Sequence, residues 1–236
     1  KKRRFGFYKK LHKELKASGK GRLIPVERVN NISDKDLFNN YIKKGVPVIL
    51  NGAAKDWPCV QDWSLEYFKN LHGDDKILLV DQEKVDEDDF FEEITLAEVI
   101  NGIQEKKGKY YRFYPLLQRH PEHIKDFDYK WLIKFRNRIK WYEAFQVFIG
   151  GNNSETPIHN AAASNLFVQT YGEKKWVLYP NYYTPVIDPS PIQNIYRSAP
   201  YKNGKEAFNP FNSNYEYPNV LYQYIDGYSV HLKPGD

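Results

Sequence analysis

The second half of the chain consists of short β-rich segments with no long helical pattern between them. From Glu143 onward these segments are broken by Gly, Pro and Asn: EAFQVFIGG, NLFVQTYG, KKWVLYP, NVLYQYID and YSVHLKPGD. Short strands separated by turn residues are typical of a β-sandwich, jelly roll or barrel. A Pro-, Asn- and Tyr-rich stretch from Asn181 to Pro218 interrupts them and predicts an ordered surface loop.

The first half carries helical patterns with recognisable start and stop signals. Capped or amphipathic helices are predicted for GFYKKLHKELKAS, ISDKDLFNNYIKKG, DWSLEYFKNLHG and TLAEVINGIQEKKG, and strands for VPVILNG, KILLVD and KYYRFYPL. We therefore expect one domain over residues 1–236, mainly β with α. Its helical part covers about 1–142, and its β core begins at about 143 and continues beyond the last residue given.

Composition and charge narrow the functional class. Hydrophobic residues make up 41% of the chain and aromatic residues 16%, which predicts a folded globule with a substantial core. The net charge of +5 is uneven, with a basic first stretch and an acidic EKVDEDDFFEE segment, so it does not predict nucleic-acid binding. The single cysteine, Cys59, fits a reducing compartment, and no apolar run is long enough to span a bilayer. A cytoplasmic location is expected.

A histidine in the stretch TPIHNAAASNLFVQTYGEKKWVLYP is the candidate metal ligand. In a strand, residues two apart point to the same face, so a histidine and a carboxylate at that spacing can bind one metal ion. A second histidine from a neighbouring strand then completes the two-histidine, one-carboxylate set of non-haem iron(II) oxygenases. His159 occupies the histidine position, but Ala161 stands where the carboxylate would be.

The ordered set VPVILNGAAKDWP, YYRFYPL, FIGGNNSETPIHN, NLFVQTYGEKKWVLYP and KPGD resembles the cupin-like JmjC oxygenases. It is most similar to their hydroxylase branch, which includes the asparaginyl hydroxylase factor inhibiting HIF. The resemblance covers most of the chain from Val46 onward. It implies a double-stranded β-helix (jelly roll or cupin) core, iron(II) and the co-substrate 2-oxoglutarate.

The resemblance also implies a role for each matching residue. His159 matches the first metal histidine, and Thr156 matches a hydroxyl that contacts 2-oxoglutarate. Asn165 matches a polar residue near the metal end of that co-substrate. Lys174 matches the lysine that pairs with its far carboxylate. Tyr111 matches a tyrosine donor to the same carboxylate, a role that Tyr110 or Tyr114 could also fill. By strand alternation Lys174 and Lys175 face opposite sides, so only one can point inward.

Two departures from the family pattern leave three interpretations open. Ala161 replaces the carboxylate, and the second metal histidine is expected beyond Asp236, because His231 precedes the turn and is a poor substitute. The chain is then a hydroxylase whose carboxylate was lost by drift or deliberate substitution, a halogenase-like catalyst with an open metal position, or a non-enzymatic binding module. We favour an oxygenase derived from 2-oxoglutarate-dependent hydroxylases, with an altered metal site.

The expected partners follow from that interpretation. The substrate is expected to be a protein or peptide side chain, or else a small molecule. No nucleic acid and no membrane are predicted as partners, and the resemblance leaves a homodimer open.

Overall fold

The structure is a computed structural model that describes residues 2–80, 91–105, 110–135, 145–152, 154, 156, 159, 164–187 and 221–236. The chain forms two compact units, each assembled from separate stretches of sequence. The first unit comprises Lys1–Glu27, Thr156–Asn165 and Lys174–Leu232. The second comprises Arg28–Glu155, Leu166–Glu173 and Lys233–Asp236. The single domain over residues 1–236 stays a prediction.

The described residues form helices, most of them short, and short strands. The α-helices are α1 (Lys2–Ser18), α2 (Asp34–Leu37), α3 (Pro58–Gln61), α4 (Leu65–His72), α5 (Leu96–Gln104), α6 (Leu116–Arg119), α7 (Tyr129–Leu132) and α8 (Thr184–Ile187). The strands are β1 (Leu23–Pro25), β2 (Arg28–Val29), β3 (Ile49–Leu50), β4 (Lys76–Val80), β5 (Phe91–Thr95), β6 (Tyr110–Tyr114), β7 (Val147–Gly150), β8 (Lys174–Leu178) and β9 (Gly227–Leu232). A π-helical turn covers Phe38–Ile42, and 3₁₀ turns cover Pro121–Asp126, Ile133–Phe135, Asn181–Tyr183 and Leu221–Tyr224.

The first unit contains a three-stranded sheet in the order β1-β9-β8. β9 is parallel to β1 and antiparallel to β8. A close approach fixes the start of β9: a Cβ placed on Gly227 would lie 2.9 Å from the Tyr179 ring. Glycine fits there because it has no side chain, whereas any other residue would require the Tyr179 ring to shift.

The second unit holds the main hydrophobic core of the described residues. Its three two-stranded sheets pair β2 with β3, β4 with β5 and β6 with β7. Helix α5 buries Leu96, Val99, Ile100 and Ile103 on one face, the i, i+3, i+4, i+7 spacing of an amphipathic helix. The other buried members of this core are Cys59, Trp63, Phe68, Ile77, Tyr114, Leu116 and Ile149.

The helix start signals in the sequence are confirmed. Ser33, Ser64 and Thr95 each cap the helix that follows, and their side chains accept hydrogen bonds from backbone N–H groups in its first turn. Thr95 and Glu98 form a complete capping box. These contacts satisfy N–H groups that have no partner within the helix, which is why the helices begin where the sequence predicts.

Two predicted strands are wrong. The segment NLFVQTYG has no regular structure, because Gln169 exchanges backbone hydrogen bonds with the turn at Gly235 and Asp236 rather than with a strand. Within NVLYQYID, residues Leu221–Tyr224 form a 3₁₀ turn, and the Gln223 carbonyl accepts a hydrogen bond from the Gly21 N–H. Apolar runs this short fit either a strand or a helical turn, so long-range contacts decide between them.

The predicted strand VPVILNG shortens to two residues, Ile49–Leu50. The mixture of helices and sheets fits a cupin-type fold, while the double-stranded β-helix itself stays a prediction.

Candidate functional site

Lys174, the lysine expected to hold a carboxylate, is the first residue of β8 and is half-buried. It pairs with Leu232 of β9, and Trp176 pairs with Val230. Leu232 and Val230 are both buried, so Lys174 and Trp176 lie on the face of the sheet that points into the unit. The Lys174 ammonium lies 5.8 Å from the centre of the Trp176 ring, within cation–π range.

Lys175 occupies the opposite face of the same strand. It is exposed and pairs with His231, which is exposed as well. Strand alternation therefore gives Lys174 the inward position and leaves Lys175 outside. His231 lies on the outer face with Lys175. The role of Lys174 toward 2-oxoglutarate stays a prediction.

Three more of the predicted residues fall in the same unit as Lys174. Thr156 is partly buried, whereas His159 and Asn165 are exposed. A partly buried hydroxyl can donate a hydrogen bond to a carboxylate. The assignments of His159 to a metal ion and of Asn165 to the co-substrate stay predictions.

Tyr111 and Ala161 are placed less completely. Tyr111 lies on β6 in the second unit and pairs with Ile149 of β7, and the surroundings of its side chain lie outside the described part of the chain. Ala161 also lies outside the described residues. The expectation that its methyl group shares a face with His159 therefore stays a prediction.

His159 and Ala161 do not by themselves supply a complete set of iron ligands. His159 offers one neutral nitrogen donor, and Ala161 offers none. A single imidazole supplies neither the charge nor the ligand number of a two-histidine, one-carboxylate site.

A buried histidine–carboxylate cluster in the second unit was missed from the sequence. His72, the last residue of α4, and His123, in the turn Pro121–Asp126, approach each other with their Nε2 atoms 2.7 Å apart. The Asp126 carboxylate lies 2.6 Å from His123 Nδ1 and accepts a hydrogen bond from the Trp63 indole at 3.1 Å. Both histidines and Asp126 are buried.

A second carboxylate supports the other side of this cluster. Asp75 accepts a hydrogen bond from the Tyr114 hydroxyl at 2.7 Å and lies 2.9 Å from His120 Nε2. The His120 ring stacks on the His72 ring with their centres 3.6 Å apart. Burial raises the pKa of Asp75, but hydrogen bonds from Tyr114 and His120 outweigh it, so the net pKa lies below the usual value.

The pKa of His72 is lowered. Burial is the main cause, and repulsion from positive charge on His120 and His123 adds to it. His72 and His123, together with the exposed Glu122, place one possible ligand atom each within 4.8 Å of one another.

Part of this cluster leaves a local signal. The segment HPEHIKD holds His120, Glu122, His123 and Asp126 within seven residues. The contribution of His72, by contrast, depends on a contact between residues 51 positions apart. Local spacing could have predicted a polar turn, but not its partner helix.

Comparisons with known proteins cover most of the chain. A family model described as a cupin-like domain matches residues 34–236. The chain is similar to the protein named Arginine-specific demethylase JMJ22 from Arabidopsis thaliana, with 25% identity over 175 residues. That alignment covers 70% of this chain and 33% of the relative, so the chain spans about a third of the relative's length. These matches confirm the cupin and JmjC part of the resemblance and support the iron(II)/2-oxoglutarate oxygenase superfamily.

In the described part of the chain, none of the helices has the length and apolar character needed to cross a membrane.

Proposed function

This chain belongs to the cupin-like domain family, and from that premise we propose that it binds 2-oxoglutarate as a JmjC-type hydroxylase with an altered metal site. The proposed substrate is a protein or peptide side chain. The name of the Arabidopsis relative specifies arginine demethylation, so peptides with methylated arginine belong among the test substrates.

The inward position of Lys174 is the observation that carries this proposal. Lys174 is half-buried on the inner face of its sheet, where its ammonium group can pair with an anion. The far carboxylate of a dicarboxylic keto acid is such an anion, and the pair is stronger where water is partly excluded. Lys175, one residue on, is exposed and has no comparable reason to bind a buried carboxylate.

The remaining proposed roles are supporting ones. The Thr156 hydroxyl donates a hydrogen bond to the co-substrate, and the Asn165 amide orients its keto-acid end. Tyr111 keeps its proposed role as a hydrogen-bond donor to the far carboxylate. Charge-assisted hydrogen bonds of this kind fix the orientation of a carboxylate as well as holding it.

A second candidate function is a binding module without turnover. Ala161 favours it, because the sequence provides no carboxylate two residues after His159. In a halogenase-like site the same alanine would leave a metal position open for a halide. Both alternatives retain the proposed pocket around Lys174, so binding and turnover are tested separately.

The binding test compares two neighbouring lysines. Calorimetric titration of the protein with 2-oxoglutarate is expected to show binding that Lys174→Ala weakens at least about tenfold, the loss of one charge-assisted hydrogen bond. Lys175→Ala is the matched control and is expected to leave the affinity unchanged. Equal effects of the two substitutions, or no binding by the unaltered protein, would contradict the proposal.

The turnover test uses Ala161. The full-length protein and its Ala161→Asp variant are incubated with iron(II), 2-oxoglutarate and oxygen, with and without chloride, and succinate is measured. Succinate from the unaltered protein without chloride supports a working hydroxylase, and succinate only from the aspartate variant indicates a disabled one. Chloride-dependent succinate from the unaltered protein indicates a halogenase-like site. No succinate under any condition leaves the binding module.

A further inference from the structure

We propose that His72, Glu122 and His123 form a binding site for a divalent transition-metal ion, best suited to Zn(II). The site uses none of the residues at the expected iron position. Its three possible ligand atoms, two imidazole nitrogens and one carboxylate oxygen, lie within 4.8 Å of one another. Two histidines with one carboxylate are an established zinc ligand set.

The orientation of His123 is the first argument. The Asp126 oxygen that lies 2.6 Å from His123 Nδ1 also accepts the Trp63 N–H, so it acts as an acceptor toward the imidazole. His123 Nδ1 therefore carries a proton, and in the neutral ring Nε2 keeps its lone pair. A carboxylate that holds the far side of a histidine in this way is the usual support for a zinc ligand.

The approach of His72 is the second argument. Its Nε2 lies 2.7 Å from His123 Nε2, so the two nitrogens either share one proton or face a common cation. In a tetrahedral zinc site two nitrogens lie about 3.3 Å apart, since each is about 2.0–2.1 Å from the metal. A rearrangement of about half an ångström, about the difference between those two separations, would therefore admit the ion. His120, stacked on the His72 ring, holds that ring in place.

Glu122 completes the site from the solvent side. Its side chain is 56% exposed, so it can rotate toward the two nitrogens without disturbing the core. One carboxylate on the metal and the Asp126 carboxylate behind His123 together balance a divalent charge. Three protein ligands leave one tetrahedral position for water. The nitrogen donors favour zinc-type ions over Mg²⁺ and Ca²⁺, which prefer oxygen ligands.

A bound ion would join the end of α4 to the turn Pro121–Asp126. These elements lie far apart in sequence, and the ion would replace the Nε2–Nε2 hydrogen bond between His72 and His123 with a cross-link through the metal, releasing the shared proton. Metal that binds the folded but not the unfolded chain raises the unfolding temperature, by about 5 °C at a hundredfold excess over the dissociation constant.

The test measures metal binding directly. Metal-free protein competes with a chromophoric chelator for Zn(II), and Co(II) is used in parallel because its visible absorption reports coordination geometry. Glu122→Gln removes the exposed ligand with little effect on folding and is expected to weaken Zn(II) binding at least about tenfold. Glu66→Gln, which changes an acid on α4 itself, is the matched control and is expected to bind as the unaltered protein does.

A further variant separates this site from the proposed oxygenase site. The His159→Ala variant is expected to bind Zn(II) as tightly as the unaltered protein does, in contrast to Glu122→Gln. This expectation holds whatever the effect of His159→Ala on 2-oxoglutarate turnover. Tetrahedral Co(II) absorption that disappears in Glu122→Gln and persists in His159→Ala supports the site. Absence of Zn(II) binding, or binding that Glu122→Gln does not weaken, would overturn it.

Discussion

The carboxylate of Asp236 joins three parts of the second unit, and replacing it with asparagine should destabilise that unit by about 2–3 kcal/mol. Arg28 donates to it through both terminal nitrogens, at 3.1 and 2.9 Å. The Gly52 N–H donates to Oδ1 at 3.2 Å and the Lys233 N–H to Oδ2 at 3.0 Å. One side chain thereby holds β2, the turn after β3 and the turn at residues 233–236.

The expected loss of stability follows from the hydrogen bonds that an amide can keep. The asparagine side chain introduced by Asp236→Asn would still accept at its oxygen, but its NH₂ group would face the donors that Oδ2 now satisfies. One of these is a backbone N–H, whose loss costs about 1–3 kcal/mol if it stays dry. The Asp236 side chain is 5% exposed, whereas Arg28 is 37% exposed and can regain water. The cost therefore falls below the about 3–5 kcal/mol of a fully buried pair.

The first unit offers a matched control in Arg22 and Asp226. Their closest contact is 2.6 Å, but the side chains are 77% and 36% exposed. Since exposed ion pairs add little to stability, Asp226→Asn should cause a much smaller change than Asp236→Asn.

Urea unfolding of the three proteins, followed by tryptophan fluorescence, measures these differences. We expect a lower midpoint with an unchanged slope for Asp236→Asn. Equal midpoints for Asp236→Asn and Asp226→Asn would refute the reasoning, because burial would then make no difference to how much an ion pair stabilises the fold.

The same carboxylate predicts a dependence on pH. Burial raises the pKa of Asp236, but hydrogen bonds from Arg28, Lys233 and Gly52 and the Arg28 charge outweigh it, so the folded pKa lies below the usual value. A carboxylate whose folded-state pKa is lowered stabilises the fold at pH values above its unfolded-state pKa of about 4. This stabilisation is lost as the pH falls through the folded-state pKa. The difference between the unaltered protein and Asp236→Asn should therefore shrink below about pH 4.

Three other expectations follow from single features. Thr95→Ala removes the capping box of α5 and should lower the unfolding free energy by about 1 kcal/mol in the same urea assay. Thr184→Ala, at the start of a one-turn helix, is the control and should have less effect. Burial, and then the charge of Asp126, raise the pKa of the Cys59 thiol to about 12. Iodoacetamide at about pH 8 should therefore modify Cys59 only after unfolding, as measured by mass spectrometry. Rapid labelling of the folded protein would contradict this expectation. Ile100→Ala empties a site with no exposed surface in the core and should cost about 2–5 kcal/mol, and a loss below about 1 kcal/mol in urea unfolding would show that the core collapses around the gap.

The local parts of the fold could be predicted from the sequence because they depend on neighbouring residues. The caps at Ser33, Ser64 and Thr95 satisfy N–H groups two or three positions away, so the helix starts are visible in the sequence. The separation of Lys174 from Lys175 follows from the two-residue period of a strand. The cupin-like family was likewise visible as an ordered set of short motifs.

The residues of a short apolar run do not by themselves decide its secondary structure. NVLYQYID contains a 3₁₀ turn, and NLFVQTYG lacks regular structure, because each segment's backbone bonds lead to distant residues. The predicted roles of Thr156, His159, Asn165 and Tyr111 likewise depend on a bound co-substrate and metal, which no local pattern contains.

The His72–His123 contact and the Arg28–Asp236 pair depend on the tertiary structure alone. His72 meets His123 across 51 positions, and Arg28 meets Asp236 across 208. No local pattern encodes such contacts, because their formation depends on how the intervening elements pack. The sequence by itself determined the helix starts, the strand periodicity and the family. The tertiary structure decided which charged and imidazole side chains meet, since burial and distance are properties of the folded chain.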